Sequence, residues 1–139
     1  MVGYEEIILS VLGIVGTGGI ITACVTYVLD KRKQIEFRLQ EYKESRYKAI
    51  ILQMLAVIKP NDLGKLSQYR PDLTSTDEVR NEVETEWYNC LLFASDNVIK
   101  SLKEFIKEPN DLTYAKTVFA MRGDCWNKRT NLKAEETYL

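Results

Sequence analysis

The sequence predicts an all-α protein, with a single-pass transmembrane helix that continues into a cytosolic three-helix domain. Three observations predict this class. Residues Ile7 to Leu29 form a run of 23 uncharged, mostly apolar residues. Apolar residues then recur at intervals of three or four along most of the remaining chain, the period of an amphipathic helix. No segment carries the alternating pattern of a half-buried strand, and no repeat of solenoid length is present.

The elements follow in order. Residues 1–6 form a short extracytoplasmic N-terminus carrying Glu5 and Glu6. At about 1.5 Å of rise per residue, 7–29 is long enough to span a hydrocarbon core of roughly 30 Å. A helix is the form that satisfies its own backbone groups there. A cleaved signal peptide fits poorly, because the chain begins Met-Val-Gly-Tyr-Glu-Glu, without a basic n-region. The lipobox-like Ile21-Thr22-Ala23-Cys24 is followed by further apolar residues and lacks the same basic start. The basic cluster Lys31, Arg32 and Lys33 follows the run directly, which predicts a cell-membrane protein with its N-terminus outside and its C-terminal domain cytoplasmic.

Residues 30–59 contain no helix breaker and read as a stalk and first cytosolic helix, with Ile35, Leu39, Tyr42 and Ala49 on one stripe. Its end, AIILQMLAVI, is too short to span a bilayer and reads as the buried strip of the domain. Pro60-Asn61-Asp62 stops it, and 60–75 reads as a loop. Residues 76–139 supply two further helices and a polar tail from Asn127. Ser75 and Glu78 have capping-box spacing, with Asp77 and Glu78 at the positive end of the helix dipole. Val83, Trp87, Leu91, Ala94, Val98, Leu102 and Phe105 form one apolar face running to the break at Pro109, with Leu91 and Phe105 expected against Ile51 and Leu55. Asn110 or Asp111 caps the last helix, whose inner side is Ala115, Val118, Phe119, Arg122 and Trp126.

Composition removes several classes of function. Nineteen basic and twenty acidic residues nearly cancel, so no global field points to nucleic acid. Histidine is absent, which removes the commonest general base and metal ligand. The three cysteines, Cys24, Cys90 and Cys125, match no ligand spacing and read as small hydrophobes in a reducing compartment. No phosphate loop, nucleophile elbow or paired-carboxylate pocket is present, so no catalytic residue, cofactor or metal is expected.

Three features remain. Gly18, Gly19, Thr22, Ala23 and Thr26 gather on one side of the apolar helix, opposite Ile14, Ile21, Val25 and Val28. In lipid, such small residues permit close helix packing. Lys31, Arg32 and Lys33 suit the membrane interface and anionic head groups, though fixing topology is their simpler role. Glu36, Glu41 and Glu44, interleaved downstream, suit pairing one turn on with Gln40 and Lys48. Polar residues set in apolar stretches, Ser95, Asp96 and Asn97 and then Arg122 and Asp124, suggest a partly buried acid–base pair that fixes register. A pocket of Arg70, Arg122 and Lys128 for a phosphate-bearing ligand is the alternative.

The reading that follows is a non-enzymatic single-pass protein acting as anchor, scaffold or accessory subunit through helix–helix association. Its expected partners are the lipid bilayer and a second copy or another membrane protein, not nucleic acid. The alternative is a small oligomeric membrane effector or channel-like protein gated by a ligand of the cytosolic domain, although no charge inside the run supports an ion path.

Overall fold

The computed structural model describes residues 3–127 and 131–137, with side chains at all of these except 7, 9–12 and 14–17. The described elements are helical, with no strand among them: α1 (Tyr4–Ile58), a 3₁₀ turn (Pro60–Asp62), α2 (Leu63–Ser67), α3 (Thr76–Cys90), α4 (Asp96–Lys107), α5 (Asp111–Trp126) and a 3₁₀ turn (Ala134–Thr137). The chain divides into two compact units, Met1–Leu39 and Gln40–Leu139.

The first unit is helical because no proline interrupts it, although each glycine costs a helix about 1 kcal/mol relative to alanine. Thr22 donates its hydroxyl hydrogen to the Gly18 carbonyl one turn back at 2.8 Å. The expected membrane span is not upheld: among the described residues, no helix is long and apolar enough to cross a membrane. Single-pass membrane localisation and the outside-to-inside orientation fall with it, since both presuppose a span.

In the second unit, Gln40–Ile58 of α1 lays its apolar end into the core, where Ile50 and Met54 are fully buried. Glu44 and Lys48 pair at 2.6 Å on its exposed side, as the one-turn spacing predicts. Pro60 ends the helix by disfavouring αR geometry at Lys59, which sits at φ −126°, ψ 80°. The 60–75 segment, expected as a loop, contains α2 and buries Leu66 and Leu73 with Ala56 and Val79 in a small satellite core. At the start of α3 the Ser75–Glu78 capping box is complete: the Glu78 amide donates to Ser75 Oγ at 3.3 Å and the Ser75 amide to Glu78 Oε2 at 3.1 Å. Asn110 caps α5 in the same way, exchanging bonds with Thr113. Asn127 closes α5 in the left-handed conformation, φ 48°, which asparagine tolerates well.

The three-helix expectation requires correction at one place. The second long helix is two helices, because the chain turns through Leu91–Ser95 and restarts at Asp96. Ser95 is the extended N-cap of α4, with Asp96 in the first turn. The polar Ser95-Asp96 pair is thus a helix start rather than an interruption of an apolar face. The break redirects the side chains after it. Leu91 is 51% exposed and Leu92 88%, while Val98, Leu102 and Phe105 pack with Tyr47, Ile50, Met54, Val83, Cys90 and Met121 in the main core. On α5 the buried residues are Thr113, Ala115, Thr117 and Met121, so Arg122 and Trp126, expected inside, lie on the exposed side.

Phe105→Ala should therefore cost about 3 to 5 kcal/mol, whereas Leu91→Ala should stay within about 1 kcal/mol. Urea unfolding of the two variants checks both. A Leu91→Ala loss as large as that of Phe105→Ala would restore the single long helix.

Candidate functional site

Two features emerge above the general packing. The first is a polar hub in the second unit. Asp124 on α5 accepts from Lys43 Nζ of α1 at 3.0 Å to each carboxylate oxygen, from the Tyr47 hydroxyl, and from the Ser95 backbone amide at 3.3 Å. The Lys43 and Asp124 side chains are 14% and 9% exposed. Beside this hub, Arg46 donates to the buried Glu86 of α3 at 2.9 Å. Both pairs tie α1 to a facing helix at a fixed register. These are not the pair expected from Asp96 and Arg122: Asp124 and Glu86 are the acids, and the bases come from α1.

The other expected polar residues do not converge. Arg70 is held locally by Asp72 and Glu82, at 2.8 and 2.9 Å. Asp96 is exposed in the first turn of α4, and Arg122 is exposed beside an apolar groove lined by Tyr47, Ile51, Val118, Met121 and Trp126. Lys128 lies outside the described residues. Of the expected phosphate pocket of Arg70, Arg122 and Lys128, the two described members sit on different elements, and Arg70 is already neutralised by Asp72 and Glu82. Among the described residues, no group of three or more acidic or cysteine side chains is placed to hold a metal.

Burial and the adjacent Asp124 carboxylate push the Tyr47 phenol far above its ordinary value. Tyr47 therefore stays protonated and keeps donating to Asp124. Burial, reinforced by Glu86, pushes the Cys90 thiol up to about 12, and burial also raises Cys125. Neither thiol is activated as a nucleophile.

The second feature is the exposed apolar surface of the first unit. Ile20, Ile21, Val25, Tyr27, Val28, Leu29, Ile35, Phe37 and Leu39 are all between 45% and 67% exposed. Gly18, Gly19, Thr22, Ala23 and Thr26 are exposed too, and a Cβ at Gly18 or Gly19 would meet nothing within 4 Å. Lys31, Arg32 and Lys33 are exposed, with Lys31 Nζ 6.0 Å from the Tyr27 ring centroid.

Compared with protein-family models, with curated proteins and with solved structures, the chain matches none.

Removing one partner of a buried pair leaves the other charge unpaired, so Asp124→Ala should destabilise the fold by about 3 to 5 kcal/mol. The Tyr47 phenol gives a pH signature. A folded-state value above the unfolded one, about 10, contributes stability that is fully present below pH 10 and lost as pH rises beyond it. Melting temperature should fall more steeply above pH 10 in the native chain than in Tyr47→Phe. Parallel curves would remove Tyr47 from the linkage.

Cysteine accessibility supplies a separate check, since Cys24 is exposed and Cys90 buried. Iodoacetamide at pH 8 should modify Cys24 first and Cys90 only after unfolding. Modification of Cys90 at the rate of Cys24 in the folded chain would contradict the packing of α1 on α3.

Proposed function

We propose that the chain is a non-enzymatic association module, in which the 40–139 helical domain is joined to a helix that binds another helix, as an anchor, scaffold or accessory subunit. The observation that carries this reading is the run of large apolar side chains left in the open between Ile20 and Leu39. Contiguous exposed apolar surface of this kind marks interaction sites. The hub supports the reading from the other side. Its polar groups are spent on one another in fixing the bundle.

Two faces of the same helix are available for association. The small-residue face, Gly18, Gly19, Thr22, Ala23 and Thr26, is favoured where close packing drives association in lipid. In water the driver is burial of large apolar area, at about 25 cal/mol per Å², which favours the face of Ile21, Val25 and Val28. The absence of a span among the described residues takes away the premise of the first.

Sedimentation of the full chain should show a species heavier than the 16.1 kDa monomer, or a stoichiometrically retained partner chain, and Val25→Asp should return it to a single chain. A chain that stays monomeric at every concentration and retains no partner would overturn the reading.

A further inference from the structure

We infer that residues 18–39 pair with the same segment of a second copy as a parallel two-stranded coiled coil, a specific geometry for the association proposed above and dependent on it. The inference starts from spacing. Ile21, Val25, Val28, Arg32, Ile35 and Leu39 are separated by four, three, four, three and four residues. That is a seven-residue repeat with Val25, Arg32 and Leu39 at a positions and Ile21, Val28 and Ile35 at d positions. In sequence, the same spacing reaches back through Gly18, Ile14, Val11 and Ile7 to Tyr4.

The five apolar members are 64%, 52%, 47%, 58% and 45% exposed in chain order, so the seam is intact and uncovered. A repeat of 3.5 residues per turn drifts around a straight helix and is buried along its length only by a partner that coils with it. Leu29 at e is also half exposed, which widens the apolar contact.

Charge selects the partner and its direction. The g positions in this segment are Cys24, Lys31 and Arg38, and the e positions are Thr22, Leu29 and Glu36. In a parallel pair, each g residue faces the e residue five positions on in the other strand. Lys31 of one copy then meets Glu36 of its mate, twice by symmetry, and Cys24 meets Leu29. An antiparallel pair would set g against g, bringing Lys31 and Arg38 together with basic residues only. Among the described residues, neither Lys31 nor Glu36 takes part in an ion pair within its own chain. Both are free for an interstrand one.

Arg32 sets the number of strands. A single polar residue at an a position specifies register and oligomer state at some cost in stability. The β-branched d residues would by themselves suit higher oligomers. Three or more guanidinium groups crowded on one closed axis would be buried without anions, whereas a two-stranded seam leaves each arginine a path to solvent along its apolar stem.

The test uses the full chain and five variants, with far-UV circular dichroism confirming that each variant remains helical. Sedimentation should give a dimer. Val28→Asp in the seam should make it monomeric, and Thr26→Asp on the opposite face should leave it dimeric. Glu36→Lys should weaken dimerisation about fivefold at low salt, and adding Lys31→Glu should restore it, since exchanged charges keep the same pairing. Ile35→Cys in a Cys24→Ser background should cross-link to itself on oxidation, because d faces d only when the strands are parallel and in register.

A dimer broken by Thr26→Asp, or one in which Ile35→Cys fails to cross-link, would overturn the parallel seam and leave the association reading standing. A monomer that retains a different chain would do the same. A monomer without any partner would overturn both.

Discussion

The fold of the second unit depends on one carboxylate. Asp124 receives two bonds from the Lys43 ammonium, one from the Tyr47 hydroxyl and one from the Ser95 backbone amide. Three separate pieces of chain, α1, the α3–α4 turn and α5, are thereby held to a single side chain. A buried anion is tolerated only when it is paired and its remaining lone pairs are filled, and this arrangement fills them. The Ser95 amide is also one of the free N–H groups near the start of α4, so the hub helps terminate a helix as well as join two. The Arg46–Glu86 pair repeats the pattern one turn along α1 toward α3.

The turn at Leu91–Ser95 has consequences beyond helix count. A continuous helix through this segment would keep Leu91 on the apolar face; the turn leaves it at the surface and brings Phe93 against Tyr42 and Tyr47, with ring centroids 5.1 and 5.9 Å apart. The two halves are then fastened by side chains reaching across. The Trp87 indole donates to the Ile99 carbonyl at 3.0 Å, and Arg80 donates to the Ile106 carbonyl at 3.2 Å near the C-terminal end of α4. Arg80 thus satisfies one of the carbonyls that a helix end leaves without a partner. The packing is imperfect at two points among the described residues: Arg46 Nε and the Gln53 side-chain oxygen are buried without a hydrogen-bond partner. An unsatisfied amide in an apolar surround costs about 1 to 3 kcal/mol, which makes Gln53 the weakest residue of the core strip.

In the first unit the two sides of one helix make competing claims, and the medium decides between them. Small residues bring backbones together where the surroundings are as apolar as the side chains. Large apolar residues do so where the surroundings are water. The same stretch, Gly18 to Leu39, therefore supports opposite contact faces under the two conditions. The seven-residue repeat adds a constraint that neither argument contains, because it continues through the charged turn at Lys31-Arg32-Lys33 to Ile35 and Leu39. A bilayer would exclude that turn, whereas a coiled coil uses it for register.

The sequence by itself determined the helical class, the stop at Pro60, the Ser75–Glu78 capping box, and the burial of Val83, Val98, Leu102 and Phe105, because these follow from local backbone rules and from a period of 3.6 residues. It also pointed to a register-fixing acid–base pair, but expected it at Asp96 and Arg122, where the structure uses Asp124. Only the tertiary structure decided which base that acid would meet, since Lys43 lies 81 positions away and nothing local distinguishes it from the other lysines. The break at Ser95 was not read from the sequence, because the apolar spacing on either side ran almost unchanged through it. Periodicity alone does not register a change of axis. The extent of the apolar N-terminal helix was legible as well, but not its surroundings, because a run of hydrophobic side chains states only that it must be covered.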